Sequence, residues 1–364
     1  MDLSKLSLGR YSPEPTRYEL DTIAKPVDVR AIEAKRMLDR VISSADVDSE
    51  IDELAAVETY IDPAGPFATP ALPEDFRPAI VDNKLLAGAY VARTDGDPRS
   101  PRRLIISILR FPNNGAAQAA VDQMAAKVRE TSPLSVEIGG QPEVFAFTKD
   151  WTAATALAAR GAYTLILNYG LESPDENRVS AGLTTAVGLQ LARMQHSPPT
   201  PWEEVLDVPL DPDGIMRRAL PSDRWHRYSP ELDFGAHTPE GQLHYERNPA
   251  QMSKAFRDSG TDLIGRRAGI VYRTRDLEGA FTLQNALATL GKRDESIPPP
   301  PYIADARCIR LYESDPVRKT NLMCAVVRGR FVGVVFATSG VTGSINPELY
   351  ERAAAQYTLL ENDR

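Results

Sequence analysis

A strand, turn and helix that occur twice in the same order place the strongest constraint on how this sequence can fold. The first copy, RRLIISILRFPNNGAAQAAVDQM from Arg102, predicts a buried strand, a break at PNNG that supplies a helix cap, and an alanine-rich helix. One face of that helix is predicted to be buried and contains Ala117, Val121, Met124 and Val128. The second copy, RRAGIVYRTRDLEGAFTLQNALA from Arg266, has the same plan. Aligning Gly115 with Gly279 gives an offset of 164 residues (279 − 115), which also aligns the two arginine pairs. This agreement predicts an internal duplication.

The remainder of each copy continues in the same order. A strand predicted at RGAYTLILNYG, from Arg160, is followed by the helix SPDENRVSAGLTTAVGLQL, and RGRFVGVVFAT, from Arg328, is followed by NPELYERAAAQYTLL. Because strand and helix units of this kind are common, chance similarity is the competing interpretation. We predict an α+β fold of two related halves, each an antiparallel or mixed sheet with helices packed on one face.

The predicted boundary between the halves lies near HSPPTPWEEVLD, where successive prolines favour extended chain. We expect residues 1–200 to form the N-terminal α+β half, which includes an N-terminal arm and a helix at PVDVRAIEAKRMLDRV. Residues 201–364 are expected to form the C-terminal half. The acidic, proline-rich stretch 45–83 is interpreted as a long surface connection with short local structure, and LLAGAYVAR after it predicts a strand.

Length, charge and hydropathy exclude several classes of function. A chain of 364 residues is long enough for two hydrophobic cores. It carries 42 basic and 50 acidic residues, and no segment concentrates lysine and arginine on one face. We therefore expect neither nucleic acid nor an acidic membrane as a partner. No apolar run is long enough to span a bilayer, and MDLSKLSLGRYSPEP lacks the apolar region of a signal peptide.

Four histidines are the side chains best suited to acid–base or metal chemistry, but none falls in a supporting motif. They are His196, His226, His237 and His244. A metal site built from His237 and His244 would need further ligands from the fold, and surface or strand-edge positions are the alternative. The segment GQLHYER is predicted as a strand that can place the His244 ring in the core.

Other catalytic and binding motifs are missing from the sequence. DPDGIMRRALPS, which starts at Asp211, has Ser222 at the twelfth position, where an EF-hand calcium loop requires glutamate, so we interpret it as a turn. The chain has no Gly-x-Ser-x-Gly, Walker A or Gly-x-Gly-x-x-Gly sequence. We therefore assign no catalytic, cofactor-binding or metal-binding residue and expect no cofactor.

The two cysteines are placed for a disulfide. Cys308 and Cys324 lie in the strand-like stretches ARCIRLY and NLMCAVV, with Pro316 midway between them. A hairpin centred on Pro316 sets the two side chains opposite each other, within reach of a disulfide. Two buried thiols on neighbouring strands are the alternative. An oxidised pair would indicate an exported protein.

Segments along nearly the whole chain carry a family resemblance: DLSKLSLGRY, IEAKRMLDRVISSADVD, LRFPNNGAAQAAVDQM, RGAYTLI, LDPDGIMRRALP, HYERNPAQMSKAFRDSGTDLIGRRAGIVYRTRDLEGA, CIRL with a later cysteine, and AAAQYTLL. Together they resemble a family of envelope lipoproteins of unknown function from mycobacteria and related actinobacteria. Members of that family begin with a signal peptide that ends at a lipidated cysteine. MDLSKL resembles the mature region directly after it, and this sequence lacks the leader and that cysteine. The family has no assigned catalytic residues to carry over.

These observations give one main hypothesis and two alternatives. We expect a non-enzymatic, extracytoplasmic envelope lipoprotein that is held at the membrane only by a lipid anchor. It binds an envelope ligand or a protein partner between its two halves. The first alternative is an extracytoplasmic sensor or assembly factor that acts by protein contacts. The second is a hydrolase without a familiar motif.

Overall fold

The computed structural model describes residues 3–20, 25–61, 72–99, 101–222, 234–340 and 345–362. Contacts divide the chain into two compact units. The N-terminal unit contains Lys25–Asp207 and Leu243–Ala250, and the C-terminal unit contains the described parts of Met1–Ala24, Val208–Gln242 and Gln251–Arg364. A short segment from the second half of the chain therefore belongs to the N-terminal unit.

The N-terminal unit is built on an antiparallel sheet with the strand order β1-β2-β3-β7-β6-β5-β4. Its strands are β1 (Glu53–Tyr60), β2 (Ala87–Thr94), β3 (Arg103–Arg110), β4 (Leu134–Ser135), β5 (Phe145–Thr148), β6 (Ala153–Arg160) and β7 (Tyr163–Gly170). Its helices are α1 (Pro26–Met37), α2 (Arg77–Asp82), α3 (Asn114–Thr131) and α4 (Glu176–His196).

The second half of the chain repeats this arrangement in a second antiparallel sheet, with the order β8-β9-β10-β14-β13-β12-β11. The strands are β8 (Gly235–His237), β9 (Leu263–Arg266), β10 (Ile270–Arg273), β11 (Glu295–Ile297), β12 (Arg307–Arg310), β13 (Leu322–Arg328) and β14 (Phe331–Ala337). The helices are α5 (Pro239–Leu243), α6 (Pro249–Ser259), α7 (Leu277–Leu287) and α8 (Pro347–Asn362).

The predicted α+β class and the two related halves are confirmed by these matching strand orders. The helices α3 and α7 occupy the same place, directly after β3 and β10. Each begins at a side-chain cap: Asn113 accepts from the backbone N–H of Ala116 at 2.9 Å, and Asp276 accepts from that of Gly279 at 2.8 Å. The cap predicted at PNNG is therefore present.

Helices cover both faces of the N-terminal sheet, whereas the sequence predicted helices on one face. On β7, the Thr164 hydroxyl donates to the carbonyl of Ala117 in α3 at 3.2 Å. Tyr169, which points to the opposite face, lies so close to Gly182 of α4 that a Cβ there would be 2.4 Å from its ring. Strands such as RLIISILR are buried at successive positions, so both faces require a covering layer.

The stretch 45–83 is more regular than the sequence indicated. It contains the strand β1 and the short helix α2. The interpretation allowed for short local structure but missed β1, because β1 is an edge strand, where exposed glutamates at Glu53 and Glu58 weaken the apolar alternation that identifies a strand. None of the described helices combines the length and the apolar character needed to cross a membrane.

The Leu243–Ala250 segment is held in the N-terminal unit by backbone hydrogen bonds to one buried arginine. The Arg93 guanidinium donates to the carbonyl oxygens of Leu243 at 2.9 Å, His244 at 3.1 Å and Glu246 at 2.6 Å. The strand predicted at GQLHYER is wrong, because α5 ends at Leu243 and a turn follows. The His244 ring nevertheless lies in the core, as predicted.

Candidate functional site

A cavity of about 260 Å³ lies in the N-terminal unit, on the side of the sheet covered by α3. Its walls come from the C-terminal end of α3, the 3-10 turn Glu74–Phe76 before α2, and the neighbouring strands β6 and β7. These pieces are far apart in the sequence. The fold, rather than a local motif, therefore creates the cavity.

One wall of the cavity is apolar. Phe76, Val128 and Ile166 line it, and all three also belong to the hydrophobic core cluster of this unit. Val128 is on the α3 face that the sequence predicted to be buried, together with Ala117 and Met124. Because a close-packed core fixes these side chains, the apolar wall is already formed without a ligand.

A polar wall lies beside Ile166, on the same face of the sheet, and is held by a chain of hydrogen bonds. Thr155 on β6 and Asn168 on β7 are directly opposite in the sheet register. The Asn168 amide donates to the Thr155 hydroxyl at 3.0 Å, and Arg103 donates from its Nε to the Asn168 carbonyl oxygen at 3.0 Å. Gly170 leaves room for this arginine, since a Cβ there would lie 3.2 Å from the Arg103 Cγ.

The rim of the cavity carries hydroxyls and one charge of each sign. Thr131 and Ser132 lie where α3 ends, and the Thr131 hydroxyl donates to the carbonyl of Val128 at 3.2 Å. Asp75 and Lys127 are the two charged residues of the lining. The lining therefore has no net charge.

This arrangement is suited to binding rather than to nucleophilic catalysis. The Thr155 hydroxyl is held in the cavity by a hydrogen bond, and its partner is the amide of Asn168. An amide does not take up a proton near neutral pH, so it cannot activate the hydroxyl as a general base does. A fixed hydroxyl and amide can, however, orient a polar ligand.

The predicted disulfide between Cys308 and Cys324 is present in the C-terminal unit. The two residues are directly opposite on β12 and β13, and both are buried in the core cluster that α8 covers. A buried bond between paired strands stabilises the sheet and is not positioned to react with a substrate.

The described histidines lie in three unrelated environments. His196 is exposed at the end of α4, where its Nδ1 lies 2.7 Å from the Ala192 carbonyl oxygen. His237 is buried in β8, and His226 lies outside the described residues. In the part of the chain that the structure describes, no group of three or more histidine, cysteine, aspartate or glutamate residues could hold a metal ion.

The DPDG sequence at Asp211 forms a turn, in agreement with the interpretation from sequence. The Asp211 carboxylate accepts hydrogen bonds from the backbone N–H groups of Met216 and Arg217. Both carboxylate oxygens are therefore used to hold the chain that follows, and burial raises the pKa of this group.

His244 is buried as a neutral ring. Its Nε2 lies 3.1 Å from the carbonyl oxygen of Leu38 and 3.2 Å from that of Val41. Burial, together with the nearby charge of Arg93, lowers the pKa of His244 from 6.5 to about 3. The ring therefore donates to the backbone and joins two parts of the N-terminal unit.

A buried ionic cluster in the N-terminal unit was not foreseen from sequence. The Glu33 carboxylate on α1 is fully buried, 2.7 Å from Arg110 on β3 and 3.3 Å from Arg40. Arg40 also lies over the ring of Tyr163, and Arg110 lies over that of Trp202. Both arginines are thus committed to the carboxylate and to aromatic rings, which makes the cluster part of the packing between α1 and the sheet.

Comparison with known proteins assigns nearly the whole chain to two family models. Residues 20–210 match the N-terminal domain of unknown function DUF7373, and residues 215–363 match the C-terminal domain of unknown function DUF7373. No curated protein matches the chain. Among solved structures, the chain is similar to the crystal structure of the extracellular domain of PknH from Mycobacterium tuberculosis, with 13% identity and a TM-score of 0.31. That match covers 41% of this chain and 92% of the other.

Proposed function

The chain belongs to the DUF7373 family, and we propose that it is an extracytoplasmic binding protein that holds a small ligand in the cavity of its N-terminal unit. The observation that carries this proposal is the hydrogen-bonded chain of Arg103, Asn168 and Thr155 along one wall of the cavity. It fixes polar groups beside an apolar wall before any ligand arrives.

The construction of the cavity supports binding of a ligand over a purely structural role. Small-molecule sites combine an apolar lining with a few fixed polar groups on rigid elements. Phe76 and Ile166 provide the apolar lining, and Thr155 and Asn168 provide the fixed polar groups. A volume of about 260 Å³ suits a molecule of the size of one sugar or one amino acid.

The disulfide supports a location outside the cytoplasm. Disulfides form and persist in oxidising compartments, whereas cytoplasmic thiols are kept reduced. The Cys308–Cys324 bond is therefore expected in an exported protein. Attachment to the cell envelope through an N-terminal lipid, which the family resemblance implies, is part of this proposal.

Native mass spectrometry of the protein purified from its natural source tests the proposal. A small molecule bound to the wild-type protein should be lost from a Thr155→Phe variant, in which the larger side chain fills the cavity. Thr185 on α4 is exposed, and Thr185→Phe is the matched control that should retain the molecule. If only a protein co-purifies, and equally with all three forms, the sensor or assembly factor alternative is favoured and the cavity proposal is contradicted.

A further inference from the structure

We infer that the ligand of this cavity is a neutral molecule rich in hydroxyl groups, of the sugar class. This inference rests on the proposed function, because it names the chemistry of the molecule held there. Three properties of the lining carry it: its charge, the hydrogen-bonding capacity of its polar wall, and the apolar wall beside it.

The charge of the lining disfavours an anionic ligand. Anions are usually bound by several arginine or lysine side chains or by a helix N-terminus. Here the α3 end that borders the cavity is its C-terminal end, where the helix dipole is negative. The one ammonium group, on Lys127, already lies 3.0 Å from the Glu130 carboxylate. The Asp75 carboxylate further opposes an anion at the rim.

The polar wall offers both donors and acceptors. Thr155 accepts a hydrogen bond from Asn168, so its own hydroxyl proton is available to a ligand. The Asn168 amide nitrogen donates to Thr155 and to the carbonyl of Ala154 at 3.4 Å, which leaves a lone pair of its carbonyl oxygen as the group offered to a ligand. Sugar hydroxyls both donate and accept and therefore match such a wall.

An alkyl chain would satisfy the apolar wall and fail at the polar one. Covering Thr155 and Asn168 with hydrocarbon would remove their contact with water and provide no hydrogen bonds in exchange. A sugar ring avoids this cost because it has a C–H face to pack on Phe76 and Ile166 and hydroxyls at its edge. The rim hydroxyls of Thr131 and Ser132 add further partners at the opening.

An NMR titration of the isotope-labelled full chain tests the ligand class. D-glucose, D-galactose and D-mannose are added separately at up to about 10 mM, a range suited to weak single-sugar binding. Decanoate and inorganic phosphate are the comparison probes. We expect at least one sugar to shift the amide signals of Thr155 and Asn168, and the two comparison probes to leave them unchanged.

Two variants tie the response to the polar wall. Thr155→Val keeps the volume of the side chain and removes its hydroxyl, and Asn168→Leu removes the amide. Each should weaken sugar binding by about tenfold. Thr185→Val removes an exposed hydroxyl on α4 and should bind as the wild type does. If Asn168→Leu does not fold, the near-isosteric Thr155→Val decides the result.

The outcomes separate this inference from the proposed function. Binding of decanoate or phosphate at the cavity, with no sugar bound, overturns the sugar inference and leaves the proposed binding function in place. Sugar binding that is equal in wild type and Thr155→Val also overturns the inference, since the polar wall then has no role. If none of the probes binds and native mass spectrometry finds no ligand that Thr155→Phe removes, both proposals fail.

Discussion

Gln190 and Gln356 make the same pair of buried hydrogen bonds, each within its own unit. Gln190 in α4 donates from its amide to the Arg40 carbonyl at 2.9 Å and accepts from the Ile42 backbone N–H at 3.0 Å. The Gln190 side chain thus provides the hydrogen-bond partner for both the Arg40 carbonyl and the Ile42 N–H, in the segment that leads into β1. A buried backbone N–H or carbonyl without a hydrogen-bond partner would reduce the free energy of unfolding.

The equivalent bonds in the C-terminal unit show that the similarity of the two halves extends beyond the segments that the sequence aligned. Gln356 in α8 donates to the Arg218 carbonyl and accepts from the Leu220 backbone N–H, both at 2.8 Å. In each unit the partners are an arginine and an aliphatic residue two positions later. The glutamine and its target segment are far apart in sequence, so only the structure brings the correspondence to light.

Replacing either glutamine by leucine should destabilise the protein. Gln190→Leu and Gln356→Leu each leave a buried N–H and a buried carbonyl without their partner, which should cost about 1–3 kcal/mol. Urea unfolding followed by circular dichroism measures the loss. Gln118→Leu on the exposed face of α3 is the control and should have little effect. A loss for only one of the two buried glutamines would contradict the equivalence of the two sites.

The buried carboxylate of Glu33 should be essential for the stability of the N-terminal unit. Glu33→Gln removes the charge that compensates Arg40 and Arg110 while keeping the size of the side chain, and should cost about 3–5 kcal/mol. Glu130→Gln, at an exposed pair with Lys127, is the matched control and should unfold at the wild-type urea concentration. Equal stability of both variants would show that the buried cluster is not held by its carboxylate.

The disulfide should be complete in natively exported protein and should stabilise the C-terminal unit. Thiol labelling in denaturant without reductant should find no free cysteine. Because the bond joins residues 16 positions apart, the double variant Cys308→Ala, Cys324→Ala should lose about 3 kcal/mol. That variant should also be insensitive to reductant. Two labelled cysteines in the exported protein would contradict the bond and would remove its support for the proposed extracytoplasmic location.

His244 should make the protein sensitive to mild acid. The pKa of His244 is about 3 in the folded chain and 6.5 in the unfolded chain. Between these two pH values the unfolded chain therefore binds a proton at His244 and the folded chain does not. The stability contributed by the neutral ring is therefore complete above pH 6.5 and is lost as the pH falls towards 3.

The size of this effect can be isolated with a variant. The wild type should lose about 1.4 kcal/mol per pH unit below 6.5 relative to His244→Gln, because the other titrating groups are common to both. His196→Gln is the exposed control and should follow the wild type. If His244→Gln does not fold, an NMR titration of the His244 ring in the wild type replaces it, and protonation near pH 6.5 would refute the assignment of a neutral ring.

Local patterns in the sequence predicted much of the fold. The break at PNNG predicted the cap at Asn113, and helical spacing predicted the buried face of α3 that includes Val128. The symmetric spacing of Cys308 and Cys324 about Pro316 predicted their pairing. In each case the sequence pattern and the structure that it predicts lie in the same short segment, either one helix or one hairpin.

The candidate site could not be predicted in the same way. Phe76, Thr155 and Asn168 meet only after the sheet has formed, and each is an ordinary residue for its own element. The burial of Glu33 could not be predicted either. A glutamate in a helix usually faces solvent, and its partner Arg110 is on a different element. The predicted binding of a ligand between the two halves stays a prediction.

A crystal structure of the protein with the small molecule that co-purifies with it tests the central claim most directly. We expect electron density for that molecule inside the cavity of the N-terminal unit, packed against Phe76 and within hydrogen-bonding distance of the Thr155 hydroxyl and the Asn168 amide. A bound molecule located anywhere else, with the cavity free of it, would contradict the claim that this cavity is the functional site.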